Sequence, residues 1–161
     1  MKRLLLSALL LLVALLGLAA YYLADKQPLR DGRLRMPGLQ APVEVRYDER
    51  GVPHIRAQND ADLYRALGFV HAQDRLFQME MIRRLANGEL AEVLGSKLVD
   101  TDRLFRTLRL REHARRYVAK VDPNSPPVQA LQAYLDGINQ YQASHPAPLE
   151  FDILGIPKRP F

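Results

Sequence analysis

The sequence predicts an α+β chain, mostly helical, with a single β-hairpin. Two observations carry that reading. Two short alternating segments, Val43–Tyr47 and Val52–Ala57, flank the turn Asp48-Glu49-Arg50-Gly51. Beyond the hairpin, apolar residues recur at spacings of three and four, the period of a helix and not of a strand. One hairpin is not stable alone in water, so it has to join a sheet that these residues do not supply.

The N-terminus comes first. Met1-Lys2-Arg3 is positive, and Leu4 to Ala24 contains no charged residue. That length is close to the roughly 20 residues needed to cross a bilayer. Gly17-Leu18-Ala19 and Leu18-Ala19-Ala20 are mediocre small-residue cleavage sites, and Tyr21-Tyr22 suits an interfacial aromatic belt. Residues 1–24 therefore read as a signal peptide or membrane anchor, the uncleaved anchor being preferred. Lys2 and Arg3 stay on the cytoplasmic side, which puts the rest in the periplasm or on the outer face of the inner membrane.

Residues 25–40, with Pro28, Gly32, Pro37 and Gly38, read as a linker and an irregular lead-in, Arg33–Met36 being a candidate edge strand. Residues 41–161 form the folded portion. In the hairpin, Asp48 and Gly51 are the first and last residues of the turn, and Pro53 belongs at a strand start.

The organising element is a helix from Asp60 to Asn87. Asn59 or Asp60 is its N-cap, and Gly88 suits its left-handed end. Leu63, Leu67, Val70, Phe77, Met81 and Leu85 make one apolar stripe, and Ala66, Phe69, Leu76 and Met79 a second. Asp74 interrupts the first stripe. It is either half of a structural ion pair, with Arg75 or a distant Arg, or it orders polar groups near a site together with His71 and Gln73.

A short helical turn, Glu89–Gly95, follows. A helix from about Arg103 to Val118, capped by Thr101 or Asp102, comes next. Its apolar members are Leu104, Leu108 and Leu110, and its many arginines read as a solvated or subunit-facing flank. A further helix runs from about Pro127 to Ala143 on the stripe Val128, Leu131, Tyr134, Leu135 and Ile138. Leu149 to Phe161 reads as extended.

Composition narrows the chemistry. The absence of cysteine excludes disulfides and thiolate metal sites. The formal charge of +5 falls to +3 without Lys2 and Arg3, and the remaining charges are interspersed, which argues against a nucleic-acid partner. Ser96 reads as a turn residue and Ser125 sits between prolines. His54, His71, His113 and His145 show no two-His helical spacing with a Glu, and no phosphate-cradling glycine loop exists. From residue chemistry alone no catalytic residue and no metal ligand is assigned.

Two motifs change the prior. Pro42–Ala57, with Gly51-Val52-Pro53-His54-Ile55, resembles the opening hairpin of the penicillin acylase (penicillin amidase) family. Asp62–Gly95, with Ala72-Gln73-Asp74-Arg75-Leu76-Phe77-Gln78-Met79-Glu80, resembles the helix that follows it there. Tyr134–Asn139 and Phe151–Arg159 continue the likeness, which covers about residues 36 to 161. The resemblance implies an N-terminal-nucleophile hydrolase, a four-layer αββα sandwich to which a small and a large chain of one precursor both contribute. It implies hydrolysis of the amide bond of N-acylated small molecules, β-lactams with acyl side chains or acyl-homoserine lactones. The reactive serine opens the large catalytic subunit, its own α-amino group being the base. The serine, its oxyanion partners, and the acyl-pocket and calcium-binding residues of the family would all lie past Phe161. The expectation is an N-terminal fragment or truncated frame, inactive alone. The alternative is a membrane-anchored helical adaptor or a non-catalytic remnant.

Overall fold

The computed structural model of the chain describes residues 2–161. Helix α1 spans Lys2–Ala24, and its Arg3–Ala24 stretch, of mean hydropathy 2.6, is long and apolar enough to cross a membrane. Strands β1 (Glu44–Tyr47) and β2 (Pro53–Arg56) pair antiparallel, with Val45 opposite Ile55 and Tyr47 opposite Pro53. Gly51 adopts φ 75° and its N–H donates to the Asp48 carbonyl at 2.9 Å, closing the turn as predicted. Among the described residues these two strands are the whole sheet. The lead-in Arg33–Met36 is not a strand.

Helix α2 (Asp60–Asn87) has the predicted ends. The Asn59 side chain accepts the Asp62 N–H at 2.8 Å, and Gly88 closes the helix at φ 67°. Its buried face is not the first stripe. The line is Asp62, Ala66, Gly68, Val70, Ala72, Leu76, Glu80 and Arg84, and Leu63, Leu67, Phe77, Met81 and Leu85 are only half-buried. Polar residues can occupy this face because each is satisfied. Glu80 accepts from Arg84 Nε at 2.7 Å and from Arg83 Nε at 2.8 Å, while Arg84 also reaches Glu92 at 3.1 Å. A kink at Arg75 (φ −138°, ψ 17°) bends the helix in the middle.

Helix α3 (Ala91–Leu94) and a 3₁₀ turn (Ser96–Leu98) lead to α4 (Val99–Leu108) and α5 (Leu110–Val118). The expected single helix is two. Arg109, at φ 55°, is left-handed and breaks it. Asp102 is not an N-cap. It lies inside α4, 6% exposed, and accepts the N–H groups of Leu90 and Ala91 at 2.9 and 2.8 Å, tying α4 to the start of α3.

Helix α6 (Pro126–Ser144) packs on α2 at a close crossing. A Cβ on Gly68 would come within 2.0 Å of the Tyr134 carbonyl oxygen, and one on Gly137 within 2.0 Å of the Arg65 carbonyl oxygen. The two glycines let the backbones touch, which no larger residue permits. The core then forms on one side of this crossing from Ala72, Leu76, Ile138, Tyr141, Phe151 and Ile156. Leu131, placed on the α6 stripe by its spacing, is half-exposed at 51%. The C-terminal stretch is not wholly extended. Leu149–Leu154 forms α7, closed by Gly155 at φ 64°, and Phe151 anchors it in the core.

Candidate functional site

The hairpin and α2 enclose one groove of about 780 Å³, completed by the lead-in and the end of α6. Leu34, Met36, Val43, Val45, Phe69 and Val70 supply its apolar lining, and Arg30, Asp31, Arg33 and Arg35 of the lead-in also line it. Strand alternation sends Val43, Val45 and Tyr47 to the same side, and the second stripe of α2 brings Ala66 and Phe69 against them. Asp62 fixes the lead-in over the groove, because its two carboxylate oxygens accept the N–H groups of Gln40 and Ala41, each at 2.9 Å. These bonds, Gln40 first, hold the Asp62 carboxyl below the ordinary carboxylate range, helped by the Asn59 amide and the Arg65 charge.

Two polar side chains of the groove bond one another. Gln73 Nε2 donates to the Tyr47 hydroxyl at 3.0 Å and to the Leu29 carbonyl at 3.2 Å. Burial raises the Tyr47 phenol, and the nearby Asp74 charge raises it further. Tyr141, 6% exposed, is raised by the same two causes in the same order. His145 stacks on Tyr141 with centroids 4.7 Å apart and meets the edge of Phe69 at 5.5 Å.

The structure separates the three groups that the sequence placed together on α2. Gln73 turns into the groove, and Asp74 acts on Tyr47 and Tyr141 through its charge. Among the described residues Asp74 has no ion pair or hydrogen bond, so the ion pair expected with an arginine is not formed. His71 is exposed on another side and bonds the Tyr134 hydroxyl at 3.0 Å. His54 is exposed on β2, 3.4 Å from Asp48. Ser96 is exposed in its turn, and His113 is exposed on α5. Ser125 precedes α6 and donates to the Asp122 carbonyl. Ser144 Oγ lies 2.9 Å from His145 Nδ1 but also lies 2.7 Å from the Gln140 carbonyl, which takes its proton. With its proton committed to a backbone carbonyl, this serine is not an activated nucleophile.

Sequence reasoning missed Tyr47, Tyr141 and His145 as a group, because strand, helix and helix end only meet in the folded chain. The signal for Tyr47 was its place on the apolar side of β1. Among the described residues no cluster of three or more His, Asp or Glu side chains converges to hold a metal. The arrangement is a groove whose lining includes the hydrogen-bonded Tyr47 and Gln73, and it contains no nucleophile–base pair.

The penicillin amidase family model matches residues 42–161. The chain is 46% identical over 135 residues, 83% of its length, to the penicillin acylase 2 proenzyme of Pseudomonas sp. (strain SE83), of which it covers 17%. It is 36% identical over 133 residues, 81% of its length, to the acyl-homoserine lactone acylase QuiP of Pseudomonas putida, of which it covers 16%. Among solved structures it is similar to the thermostable penicillin G acylase from Alcaligenes faecalis, with a TM-score of 0.63 and 32% identity, over 74% of this chain and 65% of that one. The chain thus spans about a sixth of the length of the curated relatives it matches.

Proposed function

The chain belongs to the penicillin amidase family, and from that premise we propose that it is the N-terminal part of an exported acylase precursor. The reaction is hydrolysis of the amide bond of an N-acylated small molecule, a β-lactam side chain or an acyl-homoserine lactone. In this reading a serine at the start of a downstream chain attacks the amide carbonyl, and its own α-amino group takes the proton and passes it to the leaving amine. The acyl-enzyme is then cleaved by water, with the oxyanion held by donors outside these residues. α1 anchors the protein on the outer face of the inner membrane. Calcium, if the full-length protein holds it, is bound by residues of the remainder.

The single observation that carries this reading is the match of residues 42–161 to the family. Two features of the fold support it. Among the described residues the sheet is two strands, too few to stand alone. Helices α4 and α5 leave Leu104 at 56%, Leu108 at 50%, Tyr117 at 70% and Val118 at 64% exposure, an apolar face that asks for a partner. The role of these residues is to supply the hairpin and the α2–α6 frame on which the larger chain completes its interior.

The test is turnover. The 161-residue chain alone should leave a chromogenic N-acyl anilide intact, and co-expression with the downstream chain should hydrolyse it. Hydrolysis by the 161 residues alone, or a downstream frame without a serine at a processing junction, would reject the proposal.

A further inference from the structure

The link between α1 and the body has no slack. After Ala24 the chain continues in turns, with the Lys26 N–H donating to the Leu23 carbonyl and the Gln27 N–H to the Ala24 carbonyl. Lys26 then reaches the body directly. Its Nζ donates to Asp152 at 2.6 Å and to the Ala147 carbonyl at 2.7 Å, and its side chain is 9% exposed. The Tyr22 hydroxyl, from the last turn of α1, donates to the same Asp152 carboxylate, and the Lys26 ammonium sits 4.7 Å from the Tyr22 ring centre. The Lys26 and Tyr22 bonds hold the Asp152 carboxyl below its ordinary range.

Asp152 lies on α7, within one side chain of the place where the apolar helix ends. The neighbouring residues on α7 are apolar and uncovered: Ile153 is 71% exposed and Leu149, four residues earlier on the same side, 36%. The segment leaving α1 adds Leu29 at 44% exposure and the exposed cations Arg33 and Arg35. Apolar side chains beside a membrane-spanning helix, with arginines on the segment that leaves it, match a bilayer surface carrying anionic headgroups.

We propose that Tyr22, Lys26 and Asp152 latch α1 to the body so that the Leu149–Ile153 edge of α7 rests on the lipid surface. The occupant is the bilayer, because the patch is continuous with the end of α1. The inference rests on the anchor reading above and goes beyond it: a free anchor would leave the orientation of the body open, and the latch fixes it.

The sequence contains no cysteine, so Ile153→Cys gives a unique thiol in this chain. Ile82→Cys, on α2 at 67% exposure, is the control. Each whole chain is labelled with an environment-sensitive dye and reconstituted into phosphatidylcholine vesicles with and without phosphatidylglycerol. Spin-labelled lipid then quenches the dye. The expected result is several-fold stronger quenching at 153 than at 82, larger with phosphatidylglycerol, and a reduced difference when Asp152→Asn is added. If the chain floats with the vesicles but both labels quench equally, the latch is wrong and the anchor stands. If the chain does not float, or is processed so that Tyr22 is lost, both fail. If the 153 label is already shielded in lipid-free detergent-exchanged protein, a protein surface covers it and the proposal is overturned.

Discussion

The α2–α6 crossing and the α4–α5 arm are written with the same kind of helical pattern, and they behave differently. At the crossing, backbone meets backbone through Gly68 and Gly137, and Ile138, Ala72 and Leu76 are sealed within a few percent of full burial. In the arm, α5 buries no residue, and the leucines of α4 stay half-exposed. Amphipathic spacing states that a helix has a face to bury. It does not state where the covering surface is. In the crossing the partner lies within the chain, and in the arm we assign it to the proposed larger chain.

The comparison breaks first at the glycines. Gly68→Ala or Gly137→Ala should destabilise the chain by more than about 3 kcal/mol, because overpacking here meets backbone instead of a movable side chain. Chemical denaturation checks this, and a change under about 1 kcal/mol would mean the helices are farther apart than described. Next comes the buried pair below the crossing. Glu80→Ala leaves Arg84, 2% exposed, with the more exposed Glu92 and a long bond to the Glu89 carbonyl, and should cost about 3 kcal/mol by the same assay.

A smaller effect is expected at Asp62. Its carboxyl titrates lower in the folded chain than in the unfolded one, where aspartate titrates near about 3.9. Its contribution is therefore full above that value and is lost as pH falls through the lower folded value. Asp62→Asn should lower the neutral-pH melting temperature and flatten its decline in acid. An unchanged acid profile would detach the lead-in from this residue. The least effect is expected in the arm: Leu104→Ser or Tyr117→Ser should alter the stability of the isolated chain by no more than about 0.5 kcal/mol. A large loss there would mean the arm is already covered.

Much of this architecture is legible in the residues. Asn59 and Gly88 bound α2 because caps act locally, and Asp48 and Gly51 make the turn for the same reason. What was not legible depended on distant partners. The α2 stripe misplaced the buried face because Gly68, Glu80 and Arg84 are core residues only when α6 and α3 are in place. Asp102 has the spacing of an N-cap yet serves α3, eleven and twelve residues upstream. Arg109 breaks the α4–α5 helix with no glycine or proline to announce it. Leu149–Leu154 is too short for periodicity to separate helix from extended chain. The groove joins Tyr47, Gln73 and His145 from a strand, a helix and a helix end, which spacing along the chain does not encode.

Hydrogen exchange on α5, followed in the 161-residue chain and again with the proposed downstream chain bound, tests the central claim most directly. The account predicts fast exchange of the Leu110–Val118 amides in the first case and strong protection in the second, while Ala72 and Ile138 stay protected in both. Equal protection of α5 with and without the larger chain would contradict it.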